Sequence, residues 1–210
     1  MNILVTAGPT REAIDPVRFL SNRSSGRMGY AIAAAAAQAG HVVRLISGPV
    51  ALAAPAGVER IDVVSAQEMA TAVHAHVPWC EALVMAAAVA DWRPVTVSPA
   101  KLKKHAGVLT LELERTPDVL ASVRPLKGAR LYVGFAAETG DPEPEARRKL
   151  AAKGLDLIVA NDVSQPDAGF EVTTNAVTLI DSDGGMRQIE TAPKAEIASE
   201  IVAWIEARKK

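Results

Sequence analysis

Short apolar runs alternate along the chain with segments whose apolar residues recur at helical spacing. The runs have the length of buried strands, and we predict strands at residues 3–6, 42–47, 61–64, 82–86, 131–135 and 157–160. The segments between them predict helices at residues 29–39, 66–75, 117–123 and 143–153. Regular alternation of strand and helix is typical of right-handed crossover connections. The pattern therefore predicts an α/β fold with a doubly wound, Rossmann-like parallel sheet.

Two parts of the chain depart from this alternation. After residue 161, residues 172–181 alternate like a strand, a turn signal follows, and residues 186–190 can pair back, which predicts a hairpin. The chain closes with a predicted helix at residues 194–208. Residues 91–113 are interpreted as a loop and β-arm that leaves the sheet, and we expect this arm to make a dimer contact. We expect residues 1–210 to form a single domain.

Composition narrows the classes of function. Hydrophobic residues make up 49% of the chain but aromatic residues only 4%, as suits a parallel sheet covered on both faces. The net charge of −1 disfavours a nucleic-acid partner. The single cysteine, Cys80, excludes an intrachain disulfide and is interpreted as a buried structural thiol. Neither a secretory signal nor an apolar run of membrane length is recognisable, so we expect a cytoplasmic location and no membrane partner.

The strongest chemical signal is the segment SNRSSGRMG at residues 21–29, directly before a predicted helix. The free N–H groups at a helix start, together with serine hydroxyls, form a site for an anion. Arg18, Arg23 and Arg27 can add cationic contacts. We predict a phosphate site here; the alternative is an ordinary serine N-cap beside surface arginines.

Other candidate residues follow the ends of predicted strands, where ligands collect in open α/β sheets. Gly8 follows the first strand, and Asp91 follows an alanine-rich strand end, where it can accept hydrogen bonds or help to place a metal ion. Lys149 and Lys153 lie one helical turn apart and could reach across a triphosphate. The lysines of KLKK at residues 101–104 fit either a phosphate clamp or a solvated loop.

A nicotinamide oxidoreductase is the first alternative function, and the sequence disfavours it. Neither GxGxxG nor GxxxxGK[ST] is present. The second predicted strand ends in Ser47-Gly48-Pro49, without the acidic residue that holds a ribose hydroxyl.

Six segments in order resemble phosphopantothenate–cysteine ligases of coenzyme A biosynthesis. They cover most of the chain: TAGPTREAIDPVRFLSNRSSGRMG, AAAVADWRP, KLKK, TPDVL, VGFAAET and LIVANDVSQPDAGF. The resemblance implies that the carboxylate of 4′-phosphopantothenate attacks the α-phosphate of CTP to give an acyl-cytidylate and pyrophosphate. L-cysteine then displaces CMP. In bacteria the ligase is usually fused to a flavin-dependent decarboxylase, so a decarboxylase domain is a further expected partner.

The resemblance also implies roles for residues in the motifs. Asn22 and Lys101 are the expected catalytic residues: Asn22 acts on the acyl-cytidylate during cysteine attack, and Lys101 supports its formation by offsetting charge on the phosphates. Arg18 is expected to reach the partner subunit's site in a homodimer. The 4′-phosphate is expected on Gly8, Ser24, Ser25, Gly26 and Gly29. The nucleotide is expected on Ala87, Asp91, Lys101, Pro117, Asp118, Val119, Leu120, Phe135, Lys149 and Lys153.

Mg²⁺ is expected with the triphosphate, although the sequence does not identify its ligands. The choice of CTP over ATP rests on the closer likeness to the bacterial form of the family. A third interpretation is a nucleotide-binding module without catalytic activity, and the presence of Asn22 and Lys101 argues against it.

Overall fold

The computed structural model describes residues 1–104, 107–138, 140, 142–162 and 172–209. Its centre is an eight-stranded sheet in the order β12-β11-β10-β9-β6-β1-β4-β5. The strands of this sheet are β1 (Asn2–Ala7), β4 (Val42–Ser47), β5 (Val58–Asp62), β6 (Ala82–Met85), β9 (Leu131–Glu138), β10 (Leu157–Asp162), β11 (Thr174–Asp181) and β12 (Met186–Pro193). The helices are α1 (Arg27–Gln38), α2 (Ala66–His76), α3 (Val119–Val123), α4 (Glu143–Lys153) and α5 (Lys194–Arg208).

Six neighbouring strands of the sheet are parallel, and β11 and β12 extend it antiparallel beyond β10. From β1 the chain builds outward through β4 and β5, and it then returns to the other side of β1 to add β6, β9 and β10. Strand order therefore reverses at β1, where crevices for ligands form at the carboxyl ends of the strands. The predicted α/β class, its doubly wound parallel sheet and the extra hairpin are confirmed.

Aliphatic side chains fill both faces of the sheet, as successive residues of a strand point to opposite sides. Ile3 and Val5 pack with helices α1 and α5 on one face. Leu4 packs with residues of α2, α3 and α4 on the other. All three side chains are fully buried, so β1 is covered on both faces, as its unbroken apolar run predicts.

Two small hairpins lie outside the main sheet. Strand β2 (Arg11–Ala13) pairs with β3 (Phe19–Ser21), and β7 (Trp92–Pro94) pairs with β8 (Leu113–Arg115). The first hairpin is absent from the sequence prediction because three-residue strands show no recognisable alternation. The second corresponds to the predicted arm at residues 91–113, but the alternating residues 108–112 lie outside any strand.

Several element boundaries differ from the prediction, each for a local reason. Helix α1 begins at Arg27, not residue 29, because Gly26 takes the N-cap position. Helix α3 begins at Val119, not residue 117, because the Asp118 carboxylate caps it by accepting a hydrogen bond from the Ala121 N–H. Strand β5, the third of the predicted strands, spans Val58–Asp62 and not residues 61–64, because its pairing with β4 begins at Val58.

A candidate ligand site at the carboxyl ends of the parallel strands

A cavity of 890 Å³ opens at the carboxyl ends of β6, β9 and β10, beside the start of α1. It brings together fourteen of the residues predicted for the site, which come from segments far apart in sequence. They are Asn22, Ser24, Ser25, Gly26, Gly29, Ala87, Asp91, Pro117, Asp118, Val119, Leu120, Phe135, Lys149 and Lys153. Gly8, Arg18 and Lys101 do not line the cavity. The cavity has the size of a small-molecule site.

The start of α1 forms one wall of the cavity, and two glycines place it there. Gly26 has φ +77°, a left-handed conformation that favours glycine. A Cβ on Gly29 would lie 2.5 Å from the Ala7 Cβ, so only glycine lets α1 sit directly on the end of β1. No side chain caps α1, and its first turn holds no acidic residue. The first N–H groups and the positive end of the helix dipole are therefore available to an anion.

This geometry tests one of the two interpretations of residues 21–29. The N-cap is Gly26, not a serine, and the Ser24 hydroxyl accepts a hydrogen bond from the Gly26 N–H at 3.3 Å. The serine N-cap is therefore wrong. The phosphate site stays a prediction, now with a helix start that faces the cavity.

Gly8 lies behind this wall and not on the cavity surface. A Cβ on Gly26 would lie 3.3 Å from the Gly8 Cα, and the Gly8 carbonyl accepts a hydrogen bond from the Ala88 N–H at 2.9 Å. Direct contact between Gly8 and a phosphate is therefore not supported. The missing side chain of Gly8 instead leaves room for Gly48 and Val50, since a Cβ on Gly8 would lie 3.0 Å from the Gly48 carbonyl oxygen and from Val50 Cγ1.

Asn22 connects two walls of the cavity. Its Nδ2 donates to the Ala88 carbonyl at 3.0 Å and to the Val89 carbonyl at 3.2 Å. The loop after β6, which contains Ala88 and Val89, is also held by Thr10, whose buried hydroxyl accepts a hydrogen bond from the Ala90 N–H at 2.9 Å. The loop after β6 is thus fixed at several points.

Helix α4 contributes two lysines, and each is paired with a carboxylate. Lys149 Nζ lies 2.6 Å from Glu138 Oε1, and Lys153 Nζ donates to Asp118 Oδ2. Partial burial by itself would raise the pKa of Asp118, but the Lys153 ammonium and the Ala121 N–H hold that pKa below its usual value. The lysines therefore share the cavity as predicted, but they form ion pairs with acids from other elements.

The cavity is also lined by three buried polar residues that the sequence prediction did not include as site residues. Asn161, Asn175 and Lys194 are 8%, 5% and 6% exposed. Lys194 Nζ donates to the Val172 carbonyl, and burial together with the nearby Arg27 charge lowers the pKa of Lys194. Asn161 follows a predicted strand and could have been found by that signal. The other two reach the site only through the antiparallel extension of the sheet.

Arg18 and Lys101 lie outside the cavity in this chain. The Arg18 guanidinium bonds the Asp15 carboxylate and the Leu102 carbonyl, and Lys101 is exposed on the loop before Leu102. The expected reach of Arg18 into a partner's site stays a prediction.

The part of the last motif at residues 163–170 lies outside the described residues. Among the described residues, no three His, Cys, Asp or Glu side chains cluster as a metal site.

Residues 1–208 match the family described as "DNA/pantothenate metabolism flavoprotein C-terminal domain". The chain belongs to this family. It is 50% identical over all its 210 residues to the Coenzyme A biosynthesis bifunctional protein CoaBC of Bacillus subtilis (strain 168), of which it covers 52%. It is 53% identical over 188 residues to the protein of the same name from Escherichia coli (strain K12), with 88% of this chain and 46% of that protein covered.

A solved structure extends the likeness to three dimensions. The crystal structure of the C-terminal domain of CoaBC superposes with a TM-score of 0.83 at 44% identity, covering 98% of this chain and 94% of that chain. The DNA/pantothenate metabolism flavoprotein C-terminal domain family is therefore the one the six sequence segments indicated. The chain spans about half the length of the curated relatives it matches. Among the described residues, no helix is long and apolar enough to span a membrane.

Proposed function

We propose that this domain catalyses the CTP-dependent ligation of 4′-phosphopantothenate to L-cysteine. The observation that carries the proposal is the cavity itself, which joins an uncapped helix start on the α1 side to paired lysines on the α4 side. The relatives' name assigns them to coenzyme A biosynthesis, which fits these substrates. The two proposed substrates match the two sides of the cavity, since 4′-phosphopantothenate carries one phosphate and CTP carries a triphosphate.

The proposed reaction has two steps. The carboxylate of 4′-phosphopantothenate attacks the α-phosphorus of CTP, and pyrophosphate leaves with the bond electrons. The amine of cysteine then attacks the acyl carbon of the acyl-cytidylate, loses a proton, and CMP leaves. The 4′-phosphate lies at the start of α1, where Ser24, Ser25 and the first N–H groups bind it. Lys194 and Arg27 add positive charge on the same side.

The nucleotide lies on the α4 side in this proposal. Lys149 and Lys153 exchange their carboxylate partners for the triphosphate, and the N-terminus of α3 at Asp118 lies beside it. Ala87 and Phe135 give this side flat apolar surface for the remainder of the nucleotide. The family likeness to bacterial relatives supports CTP over ATP.

We propose Mg²⁺ as the cofactor, entering with CTP. Mg²⁺ in nucleotide sites usually takes one or two carboxylates and completes its shell with phosphate oxygens and water. Asp91 and Asp118 both line the cavity and supply oxygen ligands of this kind. The ion would offset negative charge on the phosphates, while the residues of the chain orient the two substrates.

We also propose that the domain works as a homodimer. Exposed apolar side chains concentrate on the first small hairpin and on the second hairpin with the segment between β7 and β8, and β2 packs against β7. They are Val17, Phe19, Trp92, Val95, Val97, Val108, Leu109 and Leu113. A second copy of the chain would cover this surface. Because the relatives are bifunctional by name, we expect a decarboxylase on the same polypeptide or on a companion chain.

The dimer proposal has a direct test by sedimentation. The wild type should sediment as a dimer, and Val97→Glu should shift it to a monomer. Met186→Glu is the control, because Met186 is 56% exposed but lies on β12. A monomeric wild type at assay concentration would overturn the dimer.

The function is tested by incubating the protein with 4′-phosphopantothenate, Mg²⁺ and each nucleoside triphosphate in turn, with and without cysteine. We expect pyrophosphate with CTP even without cysteine, and phosphopantothenoylcysteine and CMP when cysteine is added. No pyrophosphate with any nucleotide would overturn the ligase. Pyrophosphate with ATP in place of CTP would keep the ligase but overturn the nucleotide assignment.

Two variants separate the steps. Asn22→Asp should still release pyrophosphate but stall at the acyl-cytidylate, whereas Lys101→Gln should block its formation. Arg187→Gln is a matched control, since Arg187 pairs with Glu200 on β12 and α5 and does not line the cavity. Loss of the same step in both variants would contradict the division of roles between Asn22 and Lys101.

A further inference from the structure

A buried carboxylate outside the cavity has more hydrogen bonds than its own turn requires. Asp15 lies in the turn between β2 and β3 and is 3% exposed. Its Oδ1 accepts hydrogen bonds from the N–H groups of Val17 and Arg18, both at 2.8 Å. Those two bonds complete the turn. The second carboxylate oxygen, Oδ2, therefore serves another purpose.

Oδ2 of Asp15 holds the segment that carries Lys101. It accepts a hydrogen bond from the Leu102 N–H at 3.1 Å and from Arg18 Nε at 3.0 Å. Arg18 Nη2 in turn donates to the Leu102 carbonyl at 3.0 Å. Both backbone groups of Leu102 are thus fixed by one ion pair. The Arg18 bond, and then the backbone N–H donors, keep the pKa of Asp15 well below its usual range, so the carboxylate stays ionised.

The turn also holds the loop on the other side of Lys101. The Ser98 N–H donates to the Ile14 carbonyl at 3.0 Å, four residues before Leu102. Lys101 therefore lies between two anchors on the same turn. The hairpin continues through β3 directly into Asn22, whose amide bonds Ala88 and Val89 at the cavity. One short hairpin thus connects both residues expected to be catalytic.

We propose that Asp15 is a positioning residue that sets the location of Lys101 relative to Asn22 through the backbone of Leu102. The proposal rests on the proposed function, because Lys101 has its role only in formation of the acyl-cytidylate. Asp15 itself touches neither substrate. Its removal should slow the first step of the reaction through Lys101 and leave the remaining chemistry intact.

Asp15→Asn is the selective variant. It keeps one oxygen for the N–H groups of Val17 and Arg18, but an amide NH₂ replaces Oδ2 and cannot accept from Arg18 or from Leu102. Asp181→Asn is a matched control. Asp181 Oδ1 likewise accepts from two backbone N–H groups of its turn, and its Oδ2 bonds Arg208 at 2.9 Å. That turn joins β11 to β12 and does not line the cavity.

The kinetic test is a double-mutant cycle on pyrophosphate release without cysteine. Asp15→Asn should slow release at least about tenfold, since a small displacement of a catalytic group costs factors of this order. Any residual release by Lys101→Gln, measured at high enzyme concentration, should fall less than about twofold on the same change, because there is no Lys101 left to position. Equal effects in both backgrounds would overturn the proposal. Asp181→Asn should leave release unchanged.

A second measurement does not depend on activity. Trypsin cleaves after lysine, so its rate of cutting at residues 101–104 reports how firmly the Leu102 backbone is held. Asp15→Asn should raise that rate severalfold over the wild type, and Asp181→Asn should not. An unchanged rate in Asp15→Asn would overturn the anchor itself. If cutting rises as expected but Lys101→Gln leaves pyrophosphate release at the wild-type rate, the proposed role of Lys101 fails and the anchor stands.

Discussion

In the proposed nucleotide site, Glu138 would compete with an incoming triphosphate for Lys149, so removing its charge should tighten nucleotide binding. Lys149 Nζ lies 2.6 Å from Glu138 Oε1, and the two side chains are 35% and 27% exposed. Any phosphate that binds Lys149 must first displace this carboxylate and also meets its negative charge. Glu138→Gln removes the charge and nearly preserves the shape. The expected change is a gain of affinity, which few other causes would produce.

The size of the gain follows from the strength of the ion pair. A partly exposed pair contributes about 0.5–1 kcal/mol. Removing it from the free protein would therefore strengthen CTP binding about two- to fivefold. A second carboxylate limits the gain, because Glu145 Oε1 remains 3.7 Å from Lys149 Nζ. We therefore expect the lower half of that range, about two- to threefold.

Isothermal titration calorimetry of CTP with Mg²⁺ at low ionic strength measures this effect. Glu143→Gln is the matched control, since Glu143 lies on the same helix and pairs with Arg147 outside the cavity at 2.8 Å. Lys149→Gln should weaken binding. If Glu138→Gln weakens binding as strongly as Lys149→Gln does, Glu138 is part of the nucleotide site and the reasoning is refuted. If only Lys149→Gln has an effect, the ion pair does not compete with the nucleotide.

Three further predictions test the walls of the cavity and the core. Asn22→Asp removes two N–H···O hydrogen bonds and should lower the free energy of unfolding, measured in urea, by about 1–2 kcal/mol. Asn2→Asp removes one comparable hydrogen bond and should lower that free energy by less. Gly29→Ala places a Cβ 2.5 Å from the Ala7 Cβ and should lower the free energy of unfolding, measured by calorimetry, by about 1–3 kcal/mol. A variant as stable as the wild type would contradict this close approach. Burial raises the pKa of Cys80 from 9.0 to about 11, so the thiol of the unfolded chain ionises first as the pH rises. The free energy of unfolding should therefore fall between these two pH values, and Cys80→Ala should reduce that fall.

The parallel part of the fold could be predicted because its strands are buried on both faces. Such strands appear as unbroken apolar runs, and β1, β4 and β6 lie where those runs predicted strands. The helix ends were less predictable, because a cap depends on one residue's conformation. Gly26 shows this: its left-handed φ moves the start of α1 two residues ahead of the predicted position.

The site could be predicted in part, for a related reason. Cavity residues at the ends of the predicted strands are marked by the apolar runs: Ala87 follows the run at residues 82–86, and Phe135 closes the run at residues 131–135. Lys194 and Asn175 could not be placed this way, because they enter the cavity only when β11 pairs antiparallel with β10. The Lys153–Asp118 pair also joins residues 35 positions apart, and a local pattern carries no information at that distance.

The two sides of the cavity differ in how their positive charge is held, and this difference bears on how each would bind an anion. On the α1 side, the helix start carries no acidic residue, and burial together with the nearby Arg27 charge lowers the pKa of Lys194. A phosphate there relieves repulsion between like charges. On the α4 side, Lys149 and Lys153 already hold carboxylates. An anion there must first break ion pairs, and the released carboxylates then add repulsion unless a cation accompanies the ligand. The proposed function would therefore place a free phosphate on the α1 side and a magnesium-bound triphosphate on the α4 side.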